Sequence, residues 1–340
     1  SLPVQAGAMG EYGGMGVLDA SSRELATPWT REQYEDILRL VRLYEPQIPL
    51  LDRALAAPDP QMPTADSWRF SLEYLLDVQQ MARWLAVSWH YRAGTGDCAG
   101  AFRDFERILG LGNLVSRCGP FLNYTMGRIW QAAAADASWV VASREQVPAP
   151  VLRDAARAFL TAADETEPYV EAIRAEALIA RNDSKEIYQS PEDSFFLGSV
   201  PMFGSKWPFG RFLFGLLPLA GSTPSSTARN LDACYQHLVL FAEMPCREAM
   251  LTAYQTFYSR LVWRHDLALL FRTRDPFGRL LAYRLIGILE GSYLRVAHRD
   301  AILRGMALFL AVRAYETEHG QPPETLDALI PDYLPRIPED

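Results

Sequence analysis

Residues 68–109 read WRFSLEYLLDVQQMARWLAVSWHYRAGTGDCAGAFRDFERIL, and the spacing of their apolar side chains decides the fold. Leu72, Leu75 and Leu76, then Met81, Trp84 and Leu85, recur at intervals of three and four. Such intervals mark one helix face, so a long helix is expected from residue 68 to about residue 92. Gly94-Thr95-Gly96-Asp97 breaks the period with turn-forming residues, and a partner helix is expected over residues 99–109. Helix, short turn, helix is tetratricopeptide-like in local form, although no period of roughly 34 residues recurs. The expected fold is all-α, an irregular helical-hairpin array.

Upstream, Thr30 with Gln33 three residues on suits a capping box, and Ile37, Leu38, Val41 and Tyr44 share one face. Pro46 and Pro49 are expected to end that helix, and the Pro-rich linker at residues 56–67 leads to the next. Downstream, Cys98 and Cys118 flank AGAFRDFERILGLGNLVSR, which reads as helix, Gly-Leu-Gly turn, helix. Across such a hairpin the two cysteines are either a disulfide or two buried thiols. Further helices are expected over residues 121–143 and 150–181, the second kinked or divided at Pro168. Glu167, Glu171 and Glu176 lie in its acidic stretch without a nearby His, with Arg174 as a counter-charge, so they read as a solvated face. Glu176, between Ile173 and Leu178, is the one expected to be partly buried.

Residues 184–226 depart from this pattern, with FFLGSVPMFGSKWPFGRFLFGLLPLAGSTPSS at 195–226 carrying too much Gly and Pro for one helix. They read as an irregular aromatic insertion, a long loop that either packs on the protein's own body or contacts a partner or a membrane through Trp207, Phe209, Phe212 and Phe214. Helical spacing resumes at Leu231, Tyr235, Leu238 and Val239 and again at Met250, Tyr254, Phe257 and Leu261, with Met244-Pro245 between. A turn at residues 274–278 precedes LLAYRLIGILEGSYLRVAHRD at 280–300.

The last forty residues hold an amphipathic helix over 301–318, with Ile302, Leu303, Met306, Phe309 and Leu310 on one stripe. Gly320 suits a left-handed C-cap, and Pro322-Pro323 cannot continue the helix. Beyond it, Leu326 and Leu329 mark a short turn of helix that Pro331 ends, and Pro335 and Pro338 keep the exit extended. This Pro-rich C-terminal tail either docks on the body or binds a partner. Tyr315, Gly320, Pro323, Leu326, Leu329, Pro331, Tyr333, Leu334, Pro338 and Asp340 resemble the corresponding segment of type II pseudopilins. The same tail closes a group of large membrane-anchored bacterial proteins with helical bodies, and the order of elements here is similar to theirs. The resemblance implies a membrane anchor upstream, with residues 1–27 as a flexible tether and residues 28–340 as a single helical domain. It also implies a place on the periplasmic, extracytoplasmic face of the membrane, and it carries no active site.

Composition narrows the function classes. The chain has 340 residues, 49% of them hydrophobic, enough for a large core. Its net charge of -8 argues against binding a phosphate backbone, so no nucleic-acid partner is expected. No uninterrupted run of about eighteen apolar residues occurs. Cys98, Cys118, Cys234 and Cys246 show no Cys-x-x-Cys spacing, and His90, His237, His265, His298 and His319 fall in no metal-ligand motif. No metal and no cofactor is expected, and no nucleophile elbow or phosphate loop is present. The expected function is an extracytoplasmic interaction or scaffold module with an envelope protein as partner. The alternative is a hydrolytic enzyme whose pocket lies under the aromatic loop.

Overall fold

The computed structural model describes residues 31–58, 68–117, 119–143, 147–164, 169–189, 222–244, 248 and 275–338. It is all-α. The helices are α1 (Arg31–Tyr44), α2 (Ile48–Leu55), α3 (Trp68–Gly94), α4 (Cys98–Arg117), α5 (Phe121–Ala142), α6 (Ala149–Asp164), α7 (Tyr169–Gln189), α8 (Pro224–Ala242) and α9 (Pro276–His319). Short 3-10 turns occupy Glu45–Gln47 and Leu326–Leu329.

Several boundaries differ from expectation for identifiable reasons. The first helix ends at Tyr44, just before Pro46, as expected, and Pro46 and Pro49 each fall at the opening of the next helical piece, where a missing N–H costs nothing. Residues 98–117 form one helix through Gly110 and Gly112. Gly112 serves packing there: a Cβ on it would lie 2.8 Å from the Gly127 carbonyl oxygen, and one on Gly127 would lie 2.3 Å from that of Gly112. The two backbones touch because neither residue has a side chain. A 20-residue helix is about 30 Å long, so its ends cannot be bridged by a disulfide. The hairpin on which the Cys98–Cys118 pairing rested does not form; Cys98 is buried, and Cys118 lies outside the described residues.

The helix expected over residues 150–181 corresponds to α6 and α7, and Pro168 lies outside the described residues. At the proposed insertion, residues 184–189 complete α7 and residues 224–226 open α8. Residues 190–221, with Trp207, Phe209, Phe212 and Phe214, lie outside the described residues. The terminal helix is the second half of α9, whose 44 residues extend about 66 Å.

Consecutive helices α3, α4 and α5 pack side by side, and α4 also meets α6 as α5 meets α7. The long α9 packs on α5 and α6 as well as on α8. It passes through both apolar cores. The larger includes Trp89, Phe102, Phe105, Trp130 and Phe159 with Leu303, Leu310 and Ala314 of α9. The smaller gathers Phe121, Tyr124, Tyr169, Ile173, Leu231, Tyr235 and Leu238 around Val296. Farther along α9, the Phe309 ring meets Trp139 of α5 edge-on at 5.9 Å.

At the end of α9, Gly320 takes φ 75° and donates its N–H to the Glu316 carbonyl at 2.8 Å, closing the helix. The tail then folds back. Leu329, Tyr333 and Leu334 are buried in the larger core. Arg153 of α6 pairs with Glu318 at 2.7 Å, and Arg336 pairs with Asp164 at 2.6 Å. Arg157 donates to the Asp332 carbonyl and the Tyr333 hydroxyl to Glu318, so the tail lies docked on α6 and the last turn of α9.

Candidate functional site

The close approach of α4 and α5 at Gly112 and Gly127 is flanked by buried polar residues. Asn113, Ser116, Arg128 and Gln131 all face this seam. Gln131 Nε2 donates to the Leu109 carbonyl at 2.9 Å and to Asn113 Oδ1 at 2.7 Å. Arg128 Nη1 donates to Gln131 Oε1 at 2.5 Å. From the third side, Asp300 of α9 forms an ion pair with Arg128. Arg128 is 0% exposed, and burial pushes its pKa down to about 10 despite Tyr124, with the Arg299 and Arg304 charges adding to the fall. Asp300, 26% exposed, carries the seam to the surface. A fixed guanidinium fork in such a place is suited to planar recognition of oxyanions.

A second polar centre joins α2, α3 and α4 around Asp104, which is fully buried. Its Oδ2 accepts from Ser88 Oγ at 2.6 Å and faces Arg92 Nε at 3.2 Å, while its Oδ1 meets Arg107 Nη1 at 2.8 Å. Arg107 reaches on to Asp52 with two bonds of 2.8 and 2.9 Å, the bidentate geometry that suits this pair. Burial holds the Asp104 carboxyl above its ordinary pKa, against its donors, whereas hydrogen bonding from Arg107 holds Asp52 below. With both oxygens engaged, Asp104 acts as a tie between helices.

The smaller core is closed by polar groups at two of its edges. Glu176, 1% exposed, accepts from the Phe121 N–H at 3.1 Å. It thereby caps α5, whose own N-cap, Pro120, has no side chain able to do so. At the head of α9, Asp275 takes the left-handed conformation with φ 62°, tolerable for Asp because its short side chain bonds locally. Its Oδ1 accepts from the Gly278 N–H at 3.0 Å and from Thr227 Oγ1 at 3.2 Å, and its Oδ2 accepts from Asn230 at 2.7 Å. Tyr188 shares a 2.8 Å hydrogen bond with Thr227, and burial pushes its phenol up to about 12.

Of the residues singled out by sequence, Trp207, Phe209, Phe212, Phe214, Glu167 and His265 lie outside the described residues. Glu171 is paired with Arg174 on a solvated face, as expected, while Glu176 is wholly rather than partly buried. His90 is buried against Trp89, with ring centroids 5.2 Å apart, and His237, His298 and His319 are exposed. Among the described residues no group of three or more His, Cys, Asp or Glu side chains could hold a metal ion, and no helix is long and apolar enough to cross a membrane. Sequence reasoning missed Arg128, Gln131, Asp104 and Asp275; the pair Gly112 and Gly127 was the available signal for the first two. Compared with family models, curated proteins and solved structures, the chain matches none.

Proposed function

We propose that this chain is an extracytoplasmic interaction or scaffold module, held at the periplasmic face of a bacterial membrane by an N-terminal anchor and binding an envelope protein. The observation that carries this reading is how the buried ionisable groups are used. Asp104 and Asp275 each have both oxygens engaged and each is bonded to a neighbouring helix, so the polar interior fixes the body's shape. A rigid body of that kind presents its outer faces for contact. The tail residues Tyr315, Gly320, Tyr333 and Leu334 support the location, through their likeness to membrane-anchored helical proteins. Asp275, which meets the Thr227 and Tyr188 hydrogen-bond pair beside both ends of the aromatic segment, is already committed, and this weighs against a hydrolytic pocket there.

The proposal also assigns partner or membrane contact to Trp207, Phe209, Phe212 and Phe214. The test is cross-linked capture from native envelopes of the anchored protein, beside a variant with those four residues changed to alanine. One envelope protein recovered with the wild type and lost with the variant, at unchanged thermal stability, supports the reading. Recovery of nothing, or of the same proteins from both, counts against it. Liposome flotation of the wild type separates membrane contact from protein contact.

A further inference from the structure

The outer face of α7 and α8 sets exposed leucines among ion pairs. Arg174 pairs with Glu243 at 3.2 Å and Arg181 with Asp232 at 2.6 Å, so the two helices run antiparallel in a fixed register. Between those pairs stand Leu178 of α7, 64% exposed, and Leu240 of α8, 61% exposed. Leu178 lies one turn from both arginines and Leu240 one turn from Glu243, which places each leucine on the outward, charged side of its helix. The opposite sides, with Ile173 and Leu238, fill the smaller core. Charge across the face is divided by helix: α7 supplies the two arginines, and α8 with its C-cap Glu243 supplies the two acids. These four side chains remain 30–54% exposed and so accessible to a second molecule. Glu171 is bound to Arg174 on α7 itself, and Lys185 and Arg229 lie past the Arg181–Asp232 pair at one end of the face.

A half-turn of a second copy about a line between these helices, and parallel to them, brings its α7 over α8 at the same level. Each arginine then stands over an acid of the other copy, and each Leu178 over the other copy's Leu240. At both levels four charges alternate in sign, so every arginine gains a second acid while keeping its own. We propose that the α7–α8 face binds a second copy of this chain in this two-fold arrangement, where every contact is made twice. Helices of 21 and 19 residues are about 30 Å long and together about 20 Å across, so the face offers about 600 Å² per copy. The total of about 1,200 Å² is at the lower edge for a specific interface, so a dimer that dissociates in the micromolar range is expected. The proposal is independent of the partner assigned to Trp207, Phe209, Phe212 and Phe214.

The test is sedimentation velocity of the full chain across roughly 1–200 µM. The weight-average mass of the wild type should rise from that of one 38.2 kDa chain toward twice that value. Leu178→Gln and Leu240→Gln, at exposed positions where thermal stability should hold, are each expected to weaken association about tenfold or more. Exchanging charge gives a second readout. Arg181→Glu and Asp232→Arg each set like charges against one another, within a copy and between copies, so each variant alone should be monomeric. Mixed, the two should dimerise, because every exchanged charge then faces its opposite in the other copy. A role confined to one chain would not produce that rescue. Where a charge variant melts well below the wild type, the two leucine variants decide. A wild type that stays monomeric through roughly 200 µM, a dimer unaffected by both leucine changes, or folded charge variants that do not associate when mixed would each overturn the proposal.

Discussion

The two ends of α9 are fixed in opposite ways. At its C-terminal end the chain turns back and buries Leu329, Tyr333 and Leu334 in the larger core, with ion pairs such as Arg336–Asp164 at the margin. At its N-terminal end the fixing group is a carboxylate, Asp275, 1% exposed and bonded to Thr227, Asn230 and the Gly278 N–H. Apolar burial is non-directional and scales with area. Polar ties depend on geometry, and losing one partner orphans the others. One helix is therefore anchored by bulk at its tail and by stereochemistry at its head, and substitutions at the two ends should fail differently.

The largest effect is expected at the tail. Leu334→Ala removes a side chain that is 0% exposed and leaves a cavity, at a cost of about 2–5 kcal/mol. Urea unfolding should show a lower midpoint with an unchanged slope. A loss below about 1 kcal/mol would mean that the tail is laid on the core rather than built into it, and the contrast between the ends would collapse. At the head, Asp275→Ala should cost about 1–3 kcal/mol, because it removes the N-cap and leaves Thr227 and Asn230 without their acceptor. Asp275→Asn keeps the left-handed preference and part of the bonding, so it should cost less. If Asn and Ala were equally damaging, charge rather than hydrogen-bond geometry would be what fixes the head.

Each end also carries a tyrosine whose pKa is pushed up to about 12. Burial is the first cause for both, Tyr188 at the head and Tyr333 at the tail, and the hydrogen bond to Glu318 adds to it at Tyr333. A phenol raised in the folded chain holds its proton where the unfolded chain has lost it. Its contribution is complete below pH 10 and is lost as the pH climbs from about 10 to about 12. Alkaline stability curves should therefore fall over that interval, less steeply in Tyr188→Phe and in Tyr333→Phe, and least in the double variant. Equal curves for all four proteins would show that neither phenol is protected.

Sequence period revealed one end better than the other, for a physical reason. Leu303 and Leu310 recur on a helical stripe and are buried, and Gly320 with the prolines after it marks the stop, so the tail end was legible locally. The head was legible only as a turn. Its partners Thr227 and Asn230 lie 48 and 45 residues from Asp275, and no local pattern connects them. Gly110 and Gly112 misled in the other direction: glycine disfavours helix by about 1 kcal/mol, and the helix runs through both, with Gly112 in tight contact with Gly127. The same contact hides Arg128, since arginine within a helix ordinarily faces water. Only the pairing of two glycines across helices forces the neighbouring polar positions inside.

The smallest effect sharpens the contrast from the other side. Arg336 and Asp164 form a 2.6 Å ion pair between the tail and α6, with side chains 49% and 36% exposed. Water screens such a pair, and ordering two flexible side chains offsets most of its attraction. Arg336→Ala should therefore change stability by no more than about 0.5 kcal/mol, with little dependence on salt. The neighbouring Leu334 loses several times more because its burial needs no particular orientation. Near-equal losses at Arg336 and Leu334 would reverse the assignment, making the tail a charged strap over a core that is complete without it.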